Sequence, residues 1–258
     1  MFVGVDVFHA PMVYDAKAKE RKRKASCAAI IVQVYRETGV GSNKEIELFT
    51  KTYRREGGVE YNLKEPLKET IGHAMKVLKV DPKSVIMWRD GIGDTAFDTK
   101  AAEEIKGIRE GLAQHTVGSG GKNNTQDTPL AYIVCQKRIA TKFLVAHENQ
   151  IYGAPSGTMV SAIQGLQYQT FYINGRAPPF STAKPVRFII VQRDEGLMNA
   201  PMSRLTWNQC HDYPNWTGPV KVPSVCQMAH KLAELAGQMQ DCGESINADK
   251  YKNKVYFL

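Results

Sequence analysis

Hydrophobic and polar positions change their period along this chain, and the changes predict its elements. The opening run FVGVDVF, the run at residues 25–35 and the run at residues 46–53 are rich in Val, Ile, Thr and Tyr, residues that suit a pleated, half-buried surface. A turn-forming GVGSN segment separates the last two, so three antiparallel strands are expected. Leu63, Leu67, Ile71, Ala74 and Leu78 then recur at spacings of four, four, three and four, which lines one face of a helix. Asp81-Pro82 is expected to end it.

A short apolar strand, SVIMW at residues 84–88, runs into Arg89-Asp90-Gly91, and Phe97, Ala101, Ile105, Ile108 and Leu112 mark a second amphipathic helix. The Gly-, Asn- and Ser-rich segment 118–127 reads as a flexible loop before the strand LAYIVC and the basic cluster Gln136-Lys137-Arg138. Further strands are expected at 142–146, 171–174 and 186–192, helices at about 203–213 and 224–240, and an apolar tail at 254–258 that packs back onto the sheet. With no internal repeat and no evident linker, one α/β domain over 1–258 is expected. Its abrupt start on a strand reads as a cut inside a longer protein.

Composition narrows the function classes. Thirty-four Lys and Arg against 26 Asp and Glu leave a net charge of +8, which favours a polyanionic partner such as nucleic acid over a neutral small molecule. No apolar run approaches the roughly 18 residues of a membrane span, so no membrane partner is expected. The cysteines Cys27, Cys135, Cys210, Cys226 and Cys242 show no CxxC spacing, which fits a reducing intracellular compartment and excludes an evident zinc site.

Three residues stand out. Asp6 lies within a strand that reads as buried, where a carboxylate costs several kcal/mol unless paired. An Arg or Lys partner is the simple account. Asp90 repeats the pattern at the end of SVIMW, with Gly91 making a tight turn where open α/β sheets place ligand residues. If the two strands are neighbours, the carboxylates converge, and a metal ion relieves their repulsion. Oxygen ligands suit Mg²⁺ or Mn²⁺, and a pair of such ions supports phosphodiester hydrolysis. In the last helix, Met228, Leu232, Leu235 and Met239 read as the core stripe, leaving His230 on the other side with Ala233, Glu234 and Gly237. The small Ala233 and Gly237 allow another element to approach His230; a solvent-exposed histidine is the alternative.

The motifs Gly4-Val5-Asp6-Val7-Phe8-His9, Trp88-Arg89-Asp90-Gly91-Ile92-Gly93-Asp94, Gln136-Lys137-Arg138 with Thr141-Lys142-Phe143, NWTGPVKVP at 215–223 and AHKLA at 229–233 occur in this order. Together, over essentially the whole chain, they resemble the Piwi domain of the Argonaute/Piwi family, and the last two, with the terminal VYFL, are closer to the Piwi branch. The resemblance implies an RNase H-like fold, a mixed central β-sheet flanked by helices. It implies RNA-guided cleavage of a target RNA in small-RNA silencing, with two Mg²⁺ or Mn²⁺ ions held by an Asp, Glu, Asp, His set. Asp6, Asp90 and His230 match three of these, and Glu60, in Gly58-Val59-Glu60, is the choice for the Glu, with Glu56 and Glu65 as neighbours that could displace it.

Arg138 and Lys142 match positions that hold guide phosphates. Lys221, Tyr213 and the C-terminal Leu258 are further candidates, with solvated surface charge as the alternative for the basic residues. The run Arg21-Lys22-Arg23-Lys24 reads as a solvated loop. The partners implied are guide RNA, complementary target RNA and silencing-complex proteins, without a homo-oligomer, in the cytoplasm or nucleus. Domains that grip the guide precede this one in the family. Two other readings stay open: a guide-dependent binding protein that silences without cutting, and an unguided RNase H-like nuclease, which the C-terminal motifs disfavour.

Overall fold

The computed structural model describes residues 1–9, 12–15, 19–23, 25–37, 44–55, 62–116, 127–161, 166–176, 183–239 and 254–258. In chain order come β1 (Phe2–Phe8), β2 (Met12–Asp15), β3 (Glu20–Arg23), β4 (Ser26–Glu37), β5 (Lys44–Arg55), α1 (Lys64–Leu78) and β6 (Val85–Asp90). A 3₁₀ turn and a π turn lead into α2 (Ala102–Thr116). Then follow β7 (Leu130–Gln136), β8 (Leu144–His147), β9 (Gln150–Gly153), β10 (Met159–Ser161), β11 (Gln169–Ile173), β12 (Val186–Arg193), α3 (Met202–His211) and α4 (Ser224–Met239).

Eight strands form one mixed sheet in the order β10-β11-β12-β7-β6-β1-β4-β5. Its centre, β1-β6-β7, is parallel, and the flanking pairs are antiparallel. Because successive strand residues face opposite sides, the central strands divide their side chains between two cores. Val3, Val5, Val85, Met87, Tyr132 and Val134 join the cluster that contains Leu67 and Ile71 of α1 and Ile108 and Leu112 of α2. Ile86, Trp88, Ile133 and Cys135 join the cluster with Val225, Ala229, Leu232 and Ala233 of α4. The same alternation puts Asp6 and Asp90 on the α4 face and Arg89 on the opposite one.

The approach of α4 to β1 is set by a missing side chain. A Cβ built on Gly4 falls 2.2 Å from the carbonyl carbon of Val225 and 2.4 Å from its oxygen. Backbone cannot swing aside as a side-chain tip can, so Gly4→Ala forces α4 off the sheet. A loss of about 1–3 kcal/mol is expected, as for other overpacked cores. Thermal melting checks this, and a wild-type melting temperature in the alanine variant would show that α4 does not depend on the close contact.

Several expectations change. Helix α1 ends before Asp81-Pro82, because Lys79 adopts φ 49° and the Val80 amide donates to the Met75 carbonyl, a left-handed cap that closes the helix locally. The segment 142–146 contains strand β8, but β8 pairs with β9 as a separate exposed hairpin. Residues 21–23 of the basic run form strand β3, paired with β2, instead of a loop; Lys24 lies outside the described residues. The core stripe of α4 is Val225, Met228, Ala229, Leu232, Ala233 and Ala236, and Leu235 and Met239 are only half-buried. Small side chains let α4 lie close to the sheet, which turns its alanines inward. The expected loop at 118–127 falls outside the described residues except for Asp127. At the tail, Phe257 is buried in the α4-side core. Cys27, Cys135, Cys210 and Cys226 are buried, while Cys242 lies outside the described residues. Among the described residues no helix is long and apolar enough to cross a membrane.

Candidate active site

Asp6 and Asp90 come together toward the C-terminal ends of two central strands because those strands are parallel neighbours. Val5 stands opposite Arg89 and Asp90 opposite Cys135, so the next position on β1, Asp6, arrives beside Asp90. Gly91 turns the chain away at φ 89°, a conformation that glycine adopts without steric cost. Helix α4 brings the histidine. Asp6 lies two residues beyond Gly4, about 6.6 Å along the strand, and His230 lies five beyond Val225, about 7.5 Å along the helix. The two side chains are thus level, with His230 Nδ1 2.8 Å from Asp6 Oδ2. Gly237 admits the Phe8 ring at the next contact, so the small residues of α4 do let β1 approach.

The electrostatics follow from burial. Asp6 accepts a hydrogen bond from the Val7 amide on Oδ1, at 2.8 Å, and the side chain in contact with its Oδ2 is the His230 ring instead of an Arg or Lys. That hydrogen bond raises the His230 imidazole above its usual pKa, against burial, which lowers it. Burial first, and then the Asp6 charge, push Asp90 above the ordinary carboxylate range. Lys137 and Arg89 pull it back without prevailing. Lys137 Nζ stands 2.5 Å from Asp90 Oδ2. Burial lowers the lysine, but Asp90 and Asp6 more than offset this and leave it raised.

Behind these strand ends, on the α2 face, Arg89 Nε donates to both Glu104 oxygens at 3.2 Å, and the Tyr132 hydroxyl donates to Glu104 at 2.5 Å. Arg89 Nη1 also donates to the Asp90 carbonyl. This pins the end of β6 from the side opposite the carboxylates. At the mouth, Asp94 accepts hydrogen bonds from Gln136 and from Arg187, the latter at 3.0 Å. Asp6, Asp90, His230, Lys137, Arg138, His9 and Asp94 line a common cleft of about 860 Å³.

Of the sequence candidates, Asp6, Asp90, His230 and Arg138 therefore meet in the cleft. Glu60 and Glu56 lie outside the described residues. Glu65 sits in the first turn of α1, exposed, with Lys68 at 3.7 Å. Lys142, Lys221 and Leu258 are exposed and do not line the cleft, and Tyr213 is buried in the α4-side core. Lys137 and Asp94 belong to motifs quoted above, but no spacing argument singled them out. Continuing the alternation of β7 past Cys135 is the signal that places Lys137 on the Asp90 face.

The donor chemistry suits a hard divalent ion. Two carboxylates converge, and Asp90 Oδ2 is buried against Lys137 Nζ. Asp6, Asp90 and His230 are the residues that would hold such an ion. In this arrangement they are closed on one another and on Lys137, and no group of three or more His, Cys, Asp or Glu among the described residues is set to hold a metal.

A mixed sheet with a parallel centre, helices on both faces and two acids toward the C-terminal ends of adjacent strands defines an RNase H-like fold, shared with the solved Argonaute and Piwi structures. The sequence model of the Piwi domain matches residues 1–241, and the chain belongs to that family. Piwi-like protein 1 of Danio rerio is 29% identical over 263 residues, covering all of this chain and 27% of its own length. Piwi-like protein Ago3 of Bombyx mori is 29% identical over 262 residues, covering all of this chain and 25% of its own. The chain thus spans about a quarter of the length of these curated relatives. The crystal structure of Drosophila Piwi superposes with a TM-score of 0.70 at 24% identity, over 100% of this chain and 32% of that one. Kluyveromyces polysporus Argonaute with a guide RNA gives 0.76 at 19%, over 100% and 32%.

Proposed function

We propose that this chain is the nuclease core of a guide-RNA-directed silencing protein that cuts a complementary target RNA with two divalent ions. The observation that carries the reading is the convergence of Asp6 and Asp90 on adjacent parallel strands, with His230 at 2.8 Å from Asp6. Membership of the Piwi family and a solved relative carrying a guide RNA support nucleic acid as the ligand.

Asp6 and Asp90 serve as oxygen ligands for Mg²⁺ or Mn²⁺, with Glu60 as the remaining carboxylate. Ions held by these residues would supply an activated water and neutralise charge at the leaving oxygen. His230 would complete the ligand set; it also orients the Asp6 carboxylate and closes the α4 side of the site. Arg138, exposed at the rim, neutralises phosphate; this contact is independent of sequence and weakens with salt, as suits a protein that leaves sequence reading to base pairing. Lys142, Lys221 and the Leu258 carboxylate extend the phosphate track away from the cleft.

The purified protein, loaded with a matched guide RNA, is expected to cut its complementary target in Mg²⁺ and to stop when the metal is chelated. Bound but intact target would favour the second reading, a protein that silences by binding alone. The closure of Asp90 on Lys137 is the observation on that side. Cutting without any guide would instead mark an unguided nuclease.

A further inference from the structure

Lys137 reaches into the carboxylate pair from the rim. Its side chain is 39% exposed, whereas that of Asp90, which it meets at 2.5 Å, is 4% exposed. The side chain is partly in solvent, and its ammonium lies against the acids. Asp6 acts on the same ammonium, and Asp90 holds it by charge together with a side-chain hydrogen bond. It is a single-point contact. A flexible four-carbon stem ending in a strongly hydrated point charge can leave such a contact without breaking a geometric lock.

An ammonium 2.5 Å from a carboxylate oxygen takes one of the directions from which a divalent ion would bind it at about 2.1 Å, and an ion on the other side of that oxygen would lie only about 4 Å from the ammonium, where the two positive charges repel. We infer that Lys137 is a tethered cation that competes with the divalent metal for Asp90 and must swing out of the cleft before the ion can bind. The inference rests on the reading of Asp6 and Asp90 as metal ligands. It gives Lys137 two positions. Inside, the ammonium offsets the repulsion of two buried carboxylates and holds the two strand ends together. Outside, beside Arg138 at the cleft rim, it faces the phosphate groups of a bound nucleic acid. Only the fraction of molecules with Lys137 outside is competent for metal, so apparent metal affinity is reduced by that fraction. By linkage, whatever draws the lysine outward, including an RNA backbone, tightens metal binding, and metal binding in turn frees the lysine for RNA.

The test is Mn²⁺ affinity of the purified protein, measured by titration calorimetry or by the loss of the free-ion paramagnetic resonance signal, without any guide or target. Lys137→Gln is expected to bind Mn²⁺ at least about tenfold more tightly than the wild type, as follows if one molecule in ten or fewer is open. Lys137→Arg, which keeps the charge, is expected to stay close to the wild type. Lys137→Met keeps the length of the stem and serves as a second charge-free variant, with the Mn²⁺-induced rise in melting temperature as a second readout. Equal or weaker affinity in the folded charge-free variants overturns the competition and leaves Lys137 as a structural partner of Asp90. If neither the wild type nor the variants bind Mn²⁺, the metal reading of Asp6 and Asp90 falls as well. Asp90→Asn is the control, expected to weaken Mn²⁺ binding in both the wild-type and the Lys137→Gln background.

Discussion

Replacing Asp90 with asparagine is expected to lower guide-directed cleavage by at least about 10²–10³-fold, the loss typical when one preorganised charge-stabilising group is removed from an active site. Guide RNA binding should be retained, because the phosphate contacts proposed for Arg138, Lys142 and Lys221 do not involve this carboxylate. The amide keeps the volume and removes the charge, so the change isolates chemistry from packing. The same variant makes a second expectation. Burial and the Asp6 charge raise Asp90 above its ordinary pKa. An acid whose folded pKa is raised costs stability at pH values above its unfolded pKa, and the cost is fully present once the folded pKa is passed. At neutral pH Asp90→Asn should therefore melt no lower than the wild type. Single-turnover cleavage and thermal melting measure both effects. Undiminished cleavage would remove Asp90 from the site, and a clear fall in melting temperature would mean that the pairing with Lys137 and Arg89 outweighs the desolvation.

The largest stability effect is expected on the other face of the sheet. Arg89 and Glu104 are paired with side chains only 6% and 2% exposed, and Tyr132 donates its hydroxyl to the same carboxylate. Glu104→Leu leaves a guanidinium buried with only a backbone carbonyl as partner, a change that costs about 3–5 kcal/mol. For a chain of this size, a loss of roughly 10 °C in melting temperature is expected. Removing both charges in Arg89→Met/Glu104→Leu should recover much of it, because the desolvation penalty disappears with the pair. Chemical and thermal unfolding of the two variants decide the matter. A loss under about 1 kcal/mol in the single variant would mean that the guanidinium finds water or another partner. Since Arg89 also holds the Asp90 carbonyl, Glu104→Leu is expected to reduce cleavage as well, although Glu104 lies across the sheet from the carboxylates.

The strands and helices with strong periodicity were readable because one face of each is committed to a core. Strands β1, β4, β5, β6, β7 and β12 and all four helices fall where the apolar spacing puts them, with ends moved by a few residues. The pairing of the two hairpins was not readable in that way. The β2–β3 hairpin carries Arg21, Lys22 and Arg23, and β8–β9 is exposed along its length, so neither has an apolar period to report it. The stripe of α4 misled for a related reason. Leu235 and Met239 outrank Ala233 and Ala236 in hydrophobicity, yet the helix turns its small residues inward to meet Gly4 and the sheet at close range. Side-chain size at the contact decided the rotation.

The sequence by itself determined that Asp6 and Asp90 are carboxylates embedded in apolar strands, that His230 stands apart from the large apolar residues of its helix, and that the motif order belongs to the Piwi family. Strand alternation then commits Asp6, Asp90 and Lys137 to one face and Arg89 to the other, once each strand is placed. Only the tertiary structure decided that β1 and β6 are parallel neighbours, that Gly4 seats α4 so that His230 is level with Asp6, and that Lys137, not an arginine from elsewhere, meets Asp90. Spacing along a chain constrains which way each side chain points. Which strands adjoin, and how closely a helix may lie on them, depends on packing contacts between residues such as Asp6 and His230, 224 positions apart, and these exist only in the folded chain.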